Sequence, residues 1–96
     1  YFAMRRYRTS PGAAPEIGRR AQAEFVPILK GLPGFARYVA VDLGNDDVVS
    51  LSGFRDRETA MESSGQAADW VRKSIMDLVV GPPEVTSGTM RVFAVA

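Results

Sequence analysis

A four-stranded antiparallel sheet with two helices on one face, in the order β-α-β-β-α-β, is the α+β fold class that this sequence predicts. Three observations carry it. Segments that alternate with the period of a strand, Phe2–Thr9, Phe35–Phe54 and Thr89–Val95, are separated by Pro15–Leu32 and Asp56–Leu78, whose apolar residues recur at helical spacing. The middle alternating segment holds the best hairpin signal in the chain, Gly44-Asn45-Asp46-Asp47. The whole occupies 96 residues, the size of one domain over residues 1–96. This order is the ferredoxin-like arrangement, in which right-handed crossovers bring both helices to the same face.

The first strand alternates imperfectly, with Phe2, Met4, Arg6 and Arg8 set against Ala3, Arg5 and Tyr7, and it ends at Ser10-Pro11-Gly12. From Pro15, a residue suited to a first helical turn, Ile17, Ala21, Phe25, Ile28 and Leu32 form one stripe. Pro27 cannot donate to the carbonyl of Ala23, so a kink or a tightened last turn is expected there, and Gly31, Pro33 and Gly34 stop the helix. With a turn at Gly44–Asp47, Leu43 is expected opposite Val48, Val41 opposite Ser50, Val39 opposite Ser52 and Arg37 opposite Phe54. That register puts Val39, Val41, Leu43, Val48 and Phe54 on one face and Tyr38, Ala40, Val49 and Leu51 on the other. Both faces are apolar, so both are expected to be covered.

Asp56 is suited to cap the second helix and Glu58 to its positive end. Met61, Ser64, Ala68, Val71, Ile75 and Leu78 form the stripe expected to face the sheet, with a break near Gly65. Gly81-Pro82-Pro83 ends the helix, and Thr89–Val95 is expected as the last strand.

Composition narrows function. Twelve basic and eleven acidic residues give a net charge of +1, with no concentrated basic surface of the kind nucleic acid or an anionic membrane selects. An apolar fraction of 46% describes a globular chain. No segment has the ~20 apolar residues of a membrane span, and YFAMRRYRT lacks the basic-then-apolar order of a secretory signal, so a cytoplasmic location is expected. The absence of cysteine removes disulfides and thiolate chemistry, and the absence of histidine removes the commonest general base and metal ligand. The adjacent Asp46 and Asp47 are turn chemistry, so no cofactor and no metal site is expected.

The order of elements, Pro33-Gly34-Phe35 before the second strand, FRDRETAMES (Phe54–Ser63), AADWV (Ala67–Val71) and PPEVTSG (Pro82–Gly88) resemble the antibiotic-biosynthesis-monooxygenase-like family of dimeric α/β-barrels over nearly the whole chain. The likeness is greatest to small bacterial members with no assigned activity. It implies a ferredoxin-like dimer and one of three functions: cofactor-independent oxygenation of a small aromatic or hydrophobic substrate, haem degradation, or ligand binding without reaction. The haem-degrading branch uses a helical histidine with a nearby asparagine and tryptophan. This chain has no histidine, and its one asparagine is Asn45 in the hairpin turn, so neither haem nor a catalytic metal is expected. The live alternatives are a cofactor-free monooxygenase and a non-catalytic ligand-binding or structural protein.

Trp70, Tyr38, Arg6, Ser52 and Arg91 are the candidate substrate-binding residues, and no catalytic residue is assigned. Trp70, at the flank of the expected stripe, either closes a pocket between helix and sheet or belongs to ordinary packing. Tyr38 orients a ligand or acts as a weak acid rather than a base. Arg5 and Arg6 occupy adjacent strand positions, so one points to each face. A buried guanidinium there needs an anion: Asp42, Asp69, Glu84 or a bound enolate, with Arg91 expected alongside. Ser50 and Ser52 interrupt an apolar strand face and either line a cavity or bond across a dimer. A homodimer is expected through the uncovered sheet face, burying roughly 1,600 Å² or more in total.

Overall fold

The odd-numbered residues of the first strand go inward. In the computed structural model, which describes residues 1–96, β1 (Phe2–Arg8) buries Ala3, Arg5 and Tyr7 and exposes Met4, Arg6 and Arg8. β1 is central, because the antiparallel sheet has the order β2-β3-β1-β4. The other strands are β2 (Phe35–Gly44), β3 (Asp47–Phe54) and β4 (Glu84–Gly88). The first helical passage consists of α1 (Ala14–Arg20), a π-helical turn (Ala21–Phe25) and α2 (Val26–Lys30). α3 (Arg57–Trp70) continues into a π-helical turn (Val71–Ile75) and a 3₁₀ turn (Met76–Leu78). The order expected from sequence is therefore the order observed. No helix is long and apolar enough to cross a membrane.

The two helical stripes differ from expectation for one reason, the π turns. In the first passage Ile17, Ala21, Phe25 and Leu29 are buried at a constant spacing of four, which a helix widened by an extra residue keeps on one side. Leu29 is 0% exposed and replaces the expected Ile28. The widened turn directly precedes Pro27, the residue unable to donate, so the ladder loosens there instead of tightening. In the second passage Ala60, Ser63, Ala67 and Trp70 face the sheet, one position before the expected set, and Met61 is 56% exposed. The helix runs unbroken through Gly65, where a side chain would meet nothing, because buried Ser63 and Ala67 hold the segment to the sheet. Asp56 caps α3 as expected, accepting from the Thr59 N–H at 2.9 Å.

The hairpin register also departs from expectation. Gly44 pairs with Asp47 around the two-residue loop Asn45-Asp46, both with positive φ, and Leu43 is bulged out of the ladder. Beyond the bulge Val41 lies opposite Val49, Val39 opposite Leu51 and Tyr38 opposite Ser52. The slip by one residue regroups the faces. Val39, Val41, Val49 and Leu51 share the open face with Met4, whereas Tyr38, Ala40, Val48, Ser50 and Ser52 lie under the helices with Arg5 and Tyr7.

The last strand is Glu84–Gly88, not Thr89–Val95. Gly88 pairs with Phe2, the first residue of β1, so the chain beyond it has run off the end of its neighbour. Thr89–Ala96 consequently makes no ladder within the chain and its apolar residues stay exposed, Val92 at 87%. The Phe93 ring lies 4.0 Å below the Arg37 guanidinium.

Candidate functional site

The helix-covered face of the sheet buries three polar residues, Arg5, Ser50 and Ser52. Arg5 and Ser50 are opposite one another on β1 and β3, with Tyr7 next on β1 and Tyr38 from β2. Above them a cavity of about 210 Å³ separates the sheet from α1, the first π turn and the end of α3. Ile17, Phe25, Val48, Trp70 and Ile75 make its apolar walls. Its rim is formed by the exposed residues Pro15, Gly18, Ala40 and Asp42, and a groove of about 420 Å³ adjoins it between α1 and the edge strand β2.

An aromatic ladder builds one wall. Trp70 stacks on Phe25 with centroids 5.2 Å apart, and Phe25 meets Tyr38 edge to face at 5.6 Å. The indole Nε1 donates to Glu24 Oε1 at 3.1 Å, which fixes the ring and satisfies its polar atom. Hydrogen bonds from Ser74 and from Trp70 hold the Glu24 carboxyl below the usual carboxylate range. Because the π turn carries both Glu24 and Phe25, one irregular segment of backbone positions the tryptophan from its edge and from its face.

The cation in this site has no carboxylate. Arg5 is 5% exposed, and its Nη2 donates to Ser64 Oγ at 2.8 Å, with no carboxylate oxygen within ion-pair distance. Beyond Arg5 and Tyr7 lies a second hollow of about 270 Å³, bordered by Ser64, Val71, Arg72 and Val85. Arg5 and Tyr7 thus form part of the partition between two cavities. Burial pushes the Tyr7 phenol above its usual range against the opposing influence of Arg5. Burial does the same to Tyr38, against Ser50 and Arg5. Both phenols are therefore hydrogen-bond donors at neutral pH and not bases.

Of the five residues singled out from sequence, Trp70 and Tyr38 line the cavity. Arg6 does not. It points to the open face, where its Nη2 binds Asp47 Oδ2 at 2.9 Å. Its place is taken by Arg5, which the imperfect alternation of β1 left undecided because both parities mix apolar residues with arginine. Ser52 is buried on the covered face but outside the cavity, and its hydroxyl has no partner. Arg91 sits on the exposed tail, beside a groove across the open face with Phe2, Met4 and Leu51, because the strand expected to carry it does not form. Ser50, weighed with Ser52 as lining a cavity, does line it, whereas Tyr7 and Phe25 were not singled out as site residues. The parity shared by Arg5 and Tyr7 is the signal that finds the first of them, once the burial of Arg5 fixes the face.

No protein-family model matches the chain, and no curated protein matches it in sequence. Solved structures match its shape. A monooxygenase of Streptomyces coelicolor in complex with nanaomycin D superposes with a TM-score of 0.75 at 16% identity, over 99% of this chain and 90% of that one. A cofactor-independent oxygenase from Streptomyces nogalater gives 0.66 at 13% identity, over 95% and 94% of the two chains. A protein of unknown function from Nitrosomonas europaea gives 0.74 at 15% identity, over 96% and 94%. At these identities the likeness establishes the fold, that of the antibiotic-biosynthesis-monooxygenase-like α/β-barrel proteins, as the residues suggested.

Proposed function

We propose that the cavity beneath Trp70 binds a small aromatic molecule and that the protein is a cofactor-independent monooxygenase acting on it. The observation that carries this reading is the cavity itself, a space of about 210 Å³ with apolar walls and the polar groups of Arg5, Tyr7, Tyr38 and Ser50 at its floor. A dry cavity of roughly 150 Å³ admits benzene, so this one suits a substituted ring or a compact fused pair. In such a reaction the substrate supplies the electrons and oxygen takes them, while the protein orients the ring and stabilises the anion that reacts. Cofactor-independent oxygenation in a neighbour of this fold supports the reading. Oxygen uptake tests it: with a set of monocyclic and bicyclic hydroquinones, saturable consumption above autoxidation is expected and should fall at least tenfold in Trp70→Ala. Uptake no faster than in buffer for every compound that binds would exclude catalysis.

One observation favours binding without turnover. The cavity contains two phenols pushed away from neutrality and no histidine, so no lining side chain among those with shifted titration is poised to take a proton near pH 7. Under this second reading the same compounds quench the fluorescence of Trp70, the only tryptophan, yet are recovered unchanged.

We propose also that two copies pack through their open sheet faces. Met4, Val39 and Val41 are exposed there, Val92 of the unpaired tail shares a groove with Met4 and Leu51, and Phe93 lies against Arg37 of β2. Contiguous apolar surface of this kind is rarely left uncovered. Light scattering at micromolar concentration should give a mass near twice 10.4 kDa, and a stable monomer would refute the dimer.

A further inference from the structure

We infer that Arg5 anchors an anion site, so that the cavity holds its ligand as an oxyanion conjugated to a small planar body, such as a phenolate, an enolate or an aryl carboxylate. This deepens the reading of the cavity as a ligand site and rests on it.

No carboxylate that the sequence offers to Arg5 pairs with it. Asp69 pairs with Arg72 on the helix surface. Glu84 lies opposite Arg6, whose guanidinium reaches the open face. Asp42 accepts the N–H of Gly44 within the hairpin. A guanidinium has five N–H donors and no acceptor, and Arg5 uses one bond, to Ser64. Placing a cation under two helices without a counter-ion is costly unless an anion arrives to occupy the space beside it. That space exists on both sides of the residue.

The neighbours of Arg5 select the kind of anion. The Tyr7 and Tyr38 phenols remain protonated and offer further donors, so the polar end of the cavity is rich in hydrogen and poor in acceptors. An acceptor-only group satisfies it; a neutral amide or alcohol would leave donors unmet. Apart from Ser50 in the floor and Asp42 at the rim, the remaining lining is apolar and aromatic, which disfavours a doubly charged phosphate or sulfate and fits a ring bearing one charged oxygen.

The test uses 4-nitrophenol, whose ionisation is visible in its absorbance, the neutral isostere 4-nitroanisole, and benzoate. Saturable quenching of Trp70 fluorescence reports occupancy for each. Bound 4-nitrophenol is expected to ionise about one pH unit lower than free, equivalent to about tenfold tighter binding of the phenolate than of the phenol. Arg5→Met should abolish that preference while retaining 4-nitroanisole, and Arg5→Lys should keep part of it. The titration of the unsubstituted protein stands alone if Arg5→Met does not fold. Tighter binding of benzoate than of the phenolate assigns the anion as a carboxylate, and the opposite order assigns it as a phenolate or enolate. Equal affinity for nitrophenol and nitroanisole, or bound nitrophenol with a raised ionisation midpoint, overturns the anion site and leaves the cavity a neutral-ligand site. Failure of all three probes to quench overturns both readings.

Discussion

The two faces of the sheet depart from the usual arrangement of polarity, although the covered face also buries Ala3, Val48 and Phe54. The covered face buries Arg5, Tyr7, Ser50 and Ser52, and the open face exposes Met4, Val39 and Val41. A sheet that served only its own stability would do the opposite, since buried polar groups need partners and exposed apolar area gains nothing. The contrast separates two roles. On the covered face Arg5, Tyr7 and Ser50 border empty space, which is what a ligand site requires. The apolar residues of the open face surround nothing within the chain, which is what an interface between copies requires. Gly53 marks the border of the open face: a side chain there would come within 2.9 Å of the Phe2 ring, so glycine lets that ring lie flat against the strand.

Truncating one buried and one exposed side chain should break the contrast most sharply. Leu29→Ala, on α2 where it packs against the covered face, removes a side chain with no exposed surface, and a loss of about 2–5 kcal/mol is expected in denaturant unfolding. Val39→Ala, on the open face, should cost under about 0.5 kcal/mol if that face is wet and about 1–2 kcal/mol, dependent on protein concentration, if a second copy covers it. A concentration-independent result at the lower value would count against the interface. The next largest effect is expected from Val41→Glu, which places a charge in the middle of the open face. Dimer association weaker by about a hundredfold, roughly 2.7 kcal/mol, should show in sedimentation, with cooperative unfolding retained. Unaltered mass would mean that the face is not the contact.

The fold was legible in this sequence because every element but the last strand announces itself by period, and because Gly31, Pro33, Gly34 and Gly81-Pro82-Pro83 punctuate the chain unambiguously. The phases within elements were not, and each shift has a local cause. A single bulged residue, Leu43, exchanged the faces of one strand relative to its partner, and two π turns displaced the helical stripes. Periodicity alone reports neither device. Trp70 accordingly sits within the buried row and not at its flank, and Ser52 turns toward the helices. The tail Thr89–Val95 has the alternation of a strand, but a strand also needs a neighbour, and β1 ends at Phe2. Between Arg5 and Arg6 the sequence left the buried member undecided, and the residue singled out was Arg6; nor could it give that no carboxylate would meet Arg5.

Ser52 sharpens the comparison on a smaller scale. It is 1% exposed with an unpartnered hydroxyl, so it is polar like the cavity floor but outside the cavity. Were it part of the site, Ser52→Ala would weaken ligand binding. The expectation is instead that the substitution leaves binding unchanged and raises stability by about 1 kcal/mol, because a buried unsatisfied hydroxyl is removed with little loss of packing. A fall in stability would show that the hydroxyl has a partner in the assembled protein.

The smallest expected effect concerns pH and sets the surface against the covered face. Glu16, at the solvent-facing side of α1, is held at about 2 by hydrogen bonds from Arg19 and then Arg20, whereas in an unfolded chain it titrates near about 4.3. A carboxyl whose folded value is depressed contributes stability that is present above the unfolded value and is lost as pH falls toward the folded one, so Glu16 should add to the acid limb between about 4.3 and 2. Asp56, lowered mainly by the Thr59 backbone N–H, acts in the same direction. On the covered face Tyr7 and Tyr38 are raised by burial, and the sign reverses: their contribution is complete below the unfolded value of about 10 and is lost as pH climbs through the folded one. Melting temperature measured from pH 2 to 11 separates the two. Glu16→Gln should flatten only the acid limb, and by less in high salt because the group is exposed. Tyr7→Phe should flatten only the alkaline limb and be indifferent to salt. An acid limb unchanged by Glu16→Gln would place its origin in Asp56 or Glu24 instead, and an alkaline limb unchanged by Tyr7→Phe would mean that the Tyr7 phenol is hydrated from the cavity and feels no burial.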